Sequence, residues 1–149
     1  MPYNYSRYGL RGLRRRSLGR TLATRAAQAD VSAVFVAQFA KEGSDRDSLS
    51  FDLTKHSSAC QLPQDSADQM IINVAKSSKQ TVVAATAPGA ALTPWRDHVQ
   101  GIVYSYIPGQ GYGGAITDVM FGKVNPTGHL SVTLPLGEND TEMTRKQYP

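Results

Sequence analysis

With 149 residues, 40% of them hydrophobic and 19% charged, the chain has the size and composition of one ordinary domain able to bury a core. No apolar run approaches the ~20 residues of a membrane-spanning helix, which excludes a helical membrane span. The net charge of +4 is local: residues 1–29 hold seven arginines and no acid, while the other nine basic residues face all 12 acids and leave residues 30–149 at −3. A basic head on a mildly acidic remainder gives no basic face for nucleic acid. Cys60 is the only cysteine, so an internal disulfide, a zinc cluster and a CxxC redox pair are all excluded.

In chain order, the Arg-rich residues 1–28 lack the apolar run of a secretory signal and are expected to be a disordered tail, with only a weak likeness to a transit peptide. The compartment is left open. "VSAVFVA" (Val31 to Ala37) is short, apolar and β-branched, as expected of a strand buried on both faces. After a loop, Asp65 to Lys76 sets Ala67, Met70, Ile71, Val74 and Ala75 on one helical face. "TVVAATA" (Thr81 to Ala87) and "GIVYSYI" (Gly101 to Ile107) read as further strands, Gly114 to Phe121 as a second helix and "HLSVTLP" (His129 to Pro135) as a last strand. The alternation implies an α/β fold, and ligands of such sheets collect beyond the carboxyl ends of the strands, at loops 38–50, 87–95 and 108–113.

The last of these loops contains a GxGxxG spacing in Gly109, Gly111 and Gly114. A dinucleotide fingerprint also needs an acid about 20 residues on, at the end of the next strand. That region holds Thr127, Gly128 and His129, so no nucleotide cofactor is expected. The glycines are instead expected to allow positive φ and close helix-to-sheet contact. His56, His98 and His129 have no ligand spacing, and no metal site is expected.

"EGSDRDSLSF" (Glu42 to Phe51), "TAPGAALTPW" (Thr86 to Trp95), "YIPGQGYGGAITDVMFGKVNPTGHLSVTLP" (Tyr106 to Pro135) and the closing "QYP" together resemble, in order and spacing, the C-terminal α/β sandwich domain of family 3 glycoside hydrolases, the β-glucosidases and β-xylosidases. The resemblance covers about residues 29–149. It implies a three-layer sandwich with a mostly parallel sheet, here expected to be incomplete at its N-terminal side. Members are retaining enzymes, which need two carboxyl groups about 5–5.5 Å apart. The nucleophile is an Asp on a separate TIM barrel, usually in a Ser-Asp-Trp setting that does not occur in this sequence. The acid/base is in many members a Glu of the sandwich domain, which by position makes Glu42 the catalytic candidate; Lys41 stands where the family often has glycine.

Asp45 and Arg46 fit the family's Asp-Arg pair, read first as a clamp on the loop and second as a sugar contact. Trp95 is read first as a packing anchor and second as a stacking platform for a sugar ring. The expected activity is hydrolysis of terminal β-D-glucosyl residues, with this chain supplying the acid/base loop and not the nucleophile. A β-glucoside or oligosaccharide is the expected partner once a TIM barrel completes the site. The alternative is a non-catalytic module binding carbohydrate or a barrel-bearing partner. An exposed sheet edge would also invite self-association. Addition of NAD at millimolar concentration is expected to leave the melting temperature unchanged in differential scanning fluorimetry; a saturable rise would restore the nucleotide reading of the glycine loop.

Overall fold

The computed structural model describes residues 15–40, 42, 43, 46, 48–51 and 66–141. Six regular elements follow one another: α1 (Arg15–Gln28), β1 (Ser32–Ala37), α2 (Ala67–Ser77), β2 (Thr81–Thr86), β3 (Gly101–Ser105) and α3 (Tyr112–Met120). Single 3-10 turns lie at Arg96–His98 and Glu138–Thr141.

The three strands form one parallel sheet in the order β1, β2, β3, with Val34 beside Val83 and Val83 beside Ile102. Strand alternation then sorts the side chains by face. Val34, Val36, Val83, Ala85, Ile102 and Tyr104 lie on the face that meets the helices. There they pack with Ile71 and Val74 of α2 and Ala26 of α1 in one core. α2 starts where its cap permits: Ser66 Oγ accepts the Gln69 N–H at 3.0 Å, satisfying one of the free amides of the first turn. The helical face expected between Ala67 and Ala75 does point inward, and its Ile71 and Val74 are buried.

On the opposite face, the Thr86 hydroxyl donates to the Tyr112 hydroxyl at 3.2 Å, which sets the start of α3 beside the second side of the sheet. The result is an α/β sandwich of three layers. Among the described residues, no helix is long and apolar enough to cross a membrane.

Four expectations are corrected. Residues 15–28, expected to be part of a disordered tail, form α1, whose Ala26 is buried against the core. α1 lies against α2, a contact that composition alone does not reveal. β1 is buried on one face only, because it lies at the edge of the described sheet: Phe35 on its other face is 58% exposed. Residues 129–135 make no strand. Their Leu134 and Pro135 carbonyls instead accept from Arg96 Nη1 (3.1 Å) and the Thr93 N–H (3.0 Å), so side-chain and loop contacts replace a ladder.

The glycine loop is also looser than expected. Gly109 alone in that stretch adopts a left-handed φ, of 68°, making the turn after Pro108. A Cβ on Gly111, Gly113 or Gly114 would meet nothing within 4 Å, so these glycines do not serve a close helix-to-sheet approach.

Trp95 lies within the long connection between β2 and β3, directly before the 3-10 turn Arg96–His98, and is fully buried, its ring 6.2 Å from Phe51 at an interplanar angle of 55°. Among the described residues its indole N–H has no hydrogen-bond partner, and the ring is held by packing against the core. Because this one residue joins the β2–β3 connection to the segment around Phe51, Trp95→Ala is expected to cost about 3–5 kcal/mol, a large part of an ordinary domain's stability. A urea melt followed by circular dichroism checks this, with Trp95→Phe expected to retain more than half of the loss.

Candidate functional site

The loops following all three strands meet at the carboxyl end of the sheet. The one after β1 contains Glu42. Gln38, the first residue beyond β1, continues the ladder through its N–H to the Thr86 carbonyl at 2.9 Å. Its side chain then turns to the returning limb of the loop, where Nε2 donates to the Leu49 carbonyl at 2.5 Å and the Ser50 carbonyl at 2.8 Å. Gln38 Oε1 accepts from Arg46 Nη1, and that nitrogen also donates to the Ala90 carbonyl at 3.0 Å. One amide and one guanidinium therefore tie both limbs of the loop to the connection after β2.

The same limb is held from two further directions. The Leu92 N–H donates to the Leu49 carbonyl at 2.9 Å. Glu138 Oε1 accepts from Ser48 Oγ at 2.5 Å and from the Leu49 N–H at 2.9 Å. Between these fixed limbs the chain turns at Glu42 and Gly43, both exposed, with Gly43 at a φ of 72°. A left-handed residue there reverses the chain without the Cβ clash that another residue would meet.

Sequence candidates separate clearly in space. Glu42 faces solvent on the loop turn, and Arg46 is half-buried at the loop base, its Nη1 donating to Gln38 and to the Ala90 carbonyl. Asp45, expected to pair with Arg46, lies outside the described residues. Trp95, 0% exposed, presents no ring face to a ligand, so the stacking-platform reading gives way to the packing anchor. Gln38 and Glu138 were not singled out by sequence. Gln38 had a positional signal, being the first residue past a strand's carboxyl end, whereas Glu138 lies about 90 residues from its partners and had none.

Tyr104 completes the base of the site. Its hydroxyl donates to the Gly89 carbonyl at 2.6 Å, and its ring meets Tyr106 edge-on at 5.6 Å. Tyr106 in turn accepts from the Ser131 N–H and hydroxyl. Burial, chiefly, and then the neighbouring Tyr106 push the Tyr104 hydroxyl from 10.0 up to about 12, against the pull of the Arg46 charge.

Comparison with known proteins places this arrangement. The profile described as "Glycosyl hydrolase family 3 C-terminal domain" matches residues 8–149. The chain belongs to that family. Beta-glucosidase B of Emericella nidulans is 33% identical over 116 residues, which are 77% of this chain and 13% of that protein. Thermostable beta-glucosidase B of Acetivibrio thermocellus is 32% identical over 114 residues, 74% of this chain and 14% of that protein. In three dimensions the chain is similar to a beta-glucosidase from Kluyveromyces marxianus solved in complex with glucose, with a TM-score of 0.72 and 25% identity over 87% of this chain and 14% of that one. The chain thus spans about one-seventh of the length of these relatives.

The family assignment also extends the expected boundary, since the match begins at residue 8 and takes in α1. At alkaline pH the Tyr104 hydroxyl makes a separate prediction. A phenol whose pKa is raised on folding contributes stability in full below pH 10, and that contribution is lost as pH rises from 10 toward 12, because the unfolded chain ionises first. Tyr104→Phe is therefore expected to flatten the fall in stability over that window, read from urea melts at successive pH values; an unchanged slope would contradict the assignment.

Proposed function

We propose that this family 3 domain supplies the acid/base carboxyl, Glu42, for the retaining hydrolysis of terminal β-D-glucosyl residues. The second carboxyl comes from a TIM barrel that meets the carboxyl end of the sheet. The observation that carries this reading is the setting of Glu42: an exposed carboxylate on a left-handed turn, held out from the sheet by two pinned limbs. A proton donor shared between domains has to project toward its partner while keeping its position, and a loop anchored at its base and free at its turn meets both needs.

In the proposed chemistry, Glu42 protonates the glycosidic oxygen as the barrel's carboxylate attacks the anomeric carbon, and the aglycone leaves as the alcohol. The covalent glycosyl-enzyme is then opened by water, whose proton returns to Glu42. Arg46 has its guanidinium engaged with the protein, so its part is to hold the loop base. Without the barrel's carboxylate the first step has no nucleophile, and the isolated chain is expected to be inactive toward β-glucosides.

The test replaces the corresponding segment of the Kluyveromyces marxianus beta-glucosidase with residues 8–149 and compares Glu42 with Glu42→Gln. An alkyl β-glucoside needs its leaving oxygen protonated, and its turnover is expected to fall roughly 10²–10⁴-fold. An aryl β-glucoside with an acidic phenol needs little help, so its glycosylation step is expected to change far less. A folded, active chimera whose alkyl-glucoside turnover is indifferent to Glu42→Gln would overturn the reading.

A further inference from the structure

We propose that Glu138 is a positioning residue for the Glu42 turn, acting across the sandwich surface through the Leu49 peptide group. The proposal rests on the acid/base reading of Glu42 for its functional meaning, but its geometry stands apart from that reading.

Glu138 is exposed and far in sequence, yet one of its carboxylate oxygens accepts two hydrogen bonds from consecutive residues of the Glu42 loop, Ser48 Oγ and the Leu49 N–H. Ser48 is itself enlisted locally, its Oγ accepting the Ser50 N–H at 3.0 Å. The Leu49 carbonyl meanwhile accepts from the Leu92 N–H and from Gln38 Nε2. With the N–H and the carbonyl of Leu49 both engaged by distant residues, the returning limb can neither rotate nor slide without breaking bonds to three separate segments.

The backbone that carries the carboxylate is itself held in place. Asp140 Oδ2 accepts from the Leu136 N–H at 2.9 Å and the Gly137 N–H at 2.8 Å, folding residues 136–141 into a tight turn. The Asp140 N–H returns to the Gly137 carbonyl at 3.1 Å, and the Pro135 carbonyl is fixed by Thr93. With its backbone already fixed in this turn, Glu138 has only its side-chain freedom to lose on meeting the loop, and its charged oxygen makes stronger hydrogen bonds than a neutral acceptor. Gln38 and Arg46 hold the limbs at their base, and Glu138 sets where the returning limb, and so the Glu42–Gly43 turn above it, comes to rest.

The experiment is 15N NMR on the 149-residue chain, measuring amide exchange at Leu49 and backbone order at Glu42 and Gly43. Glu138→Ala removes the one oxygen that accepts both hydrogen bonds and is expected to speed Leu49 exchange at least tenfold and to lower the order parameters of Glu42 and Gly43. Glu138→Gln keeps an acceptor oxygen and is expected to restore both signals to within twofold of wild type. Should Glu138→Ala fail to fold, Ser48→Ala removes one of the two donors and is expected to move the same signals less. Wild-type values in the folded alanine variant, or changes confined to residues 48–51 with Glu42 and Gly43 unmoved, would overturn the proposal. Glu42→Gln leaves the staple intact and is expected to leave all these signals in place, so a negative result at Glu138 speaks to the positioning and not to the chemistry of Glu42.

Discussion

Gln38 is the point at which a regular sheet becomes a specific loop. Its backbone still extends the ladder to Thr86, while its side-chain amide donates to Leu49 and Ser50 and accepts from Arg46. A side-chain amide is suited to this task because it offers donors and an acceptor together and needs no counter-charge in a half-buried place. The described residues between Phe39 and Ser50 form no helix or strand, and these bonds take the place of the secondary structure that would otherwise fix them.

What makes that hub rigid is the layer below it. β2 runs between its two neighbours, with Thr81, Val83, Ala84 and Ala85 buried, and the small residues let α2 approach with Ile71 and Val74. Trp95 and Phe51 then close the core beneath the loops, so that the connections after β1 and β2 share one apolar anchor. The domain divides its work accordingly: apolar burial stabilises the sheet, and directional hydrogen bonds at one end hold the limbs of the loop that contains Glu42.

Much of this was legible in the residues. The three strands and α2 are marked by β-branched runs and by 3.6-residue periodicity, and their bounds in the structure lie within two residues of those expected, α2 opening two residues later, after its Ser66 cap, and β3 ending two residues earlier, ahead of Pro108. The family was carried by strings of residues in order, and Glu42 by its place within one of them. α1 was missed because an Arg-rich, acid-free segment has no strong apolar face of its own; its order comes from contact with α2. The strand expected at residues 129–135 was a local propensity that found no neighbour to pair with among the described residues, and its carbonyls went to Thr93 and Arg96 instead.

The sequence by itself determined the class of fold and the order β1, α2, β2, β3, α3, since those depend on local periodicity, while Glu42 was marked only by the resemblance to a family. Only the tertiary structure decided that Trp95 is interior, that Arg46 Nη1 bonds Gln38 and Ala90, and that Glu138 reaches the Glu42 loop. The reason is physical: burial and hydrogen-bond partnership are relations between segments tens of residues apart, and they exist only once parallel strands have brought their carboxyl ends side by side.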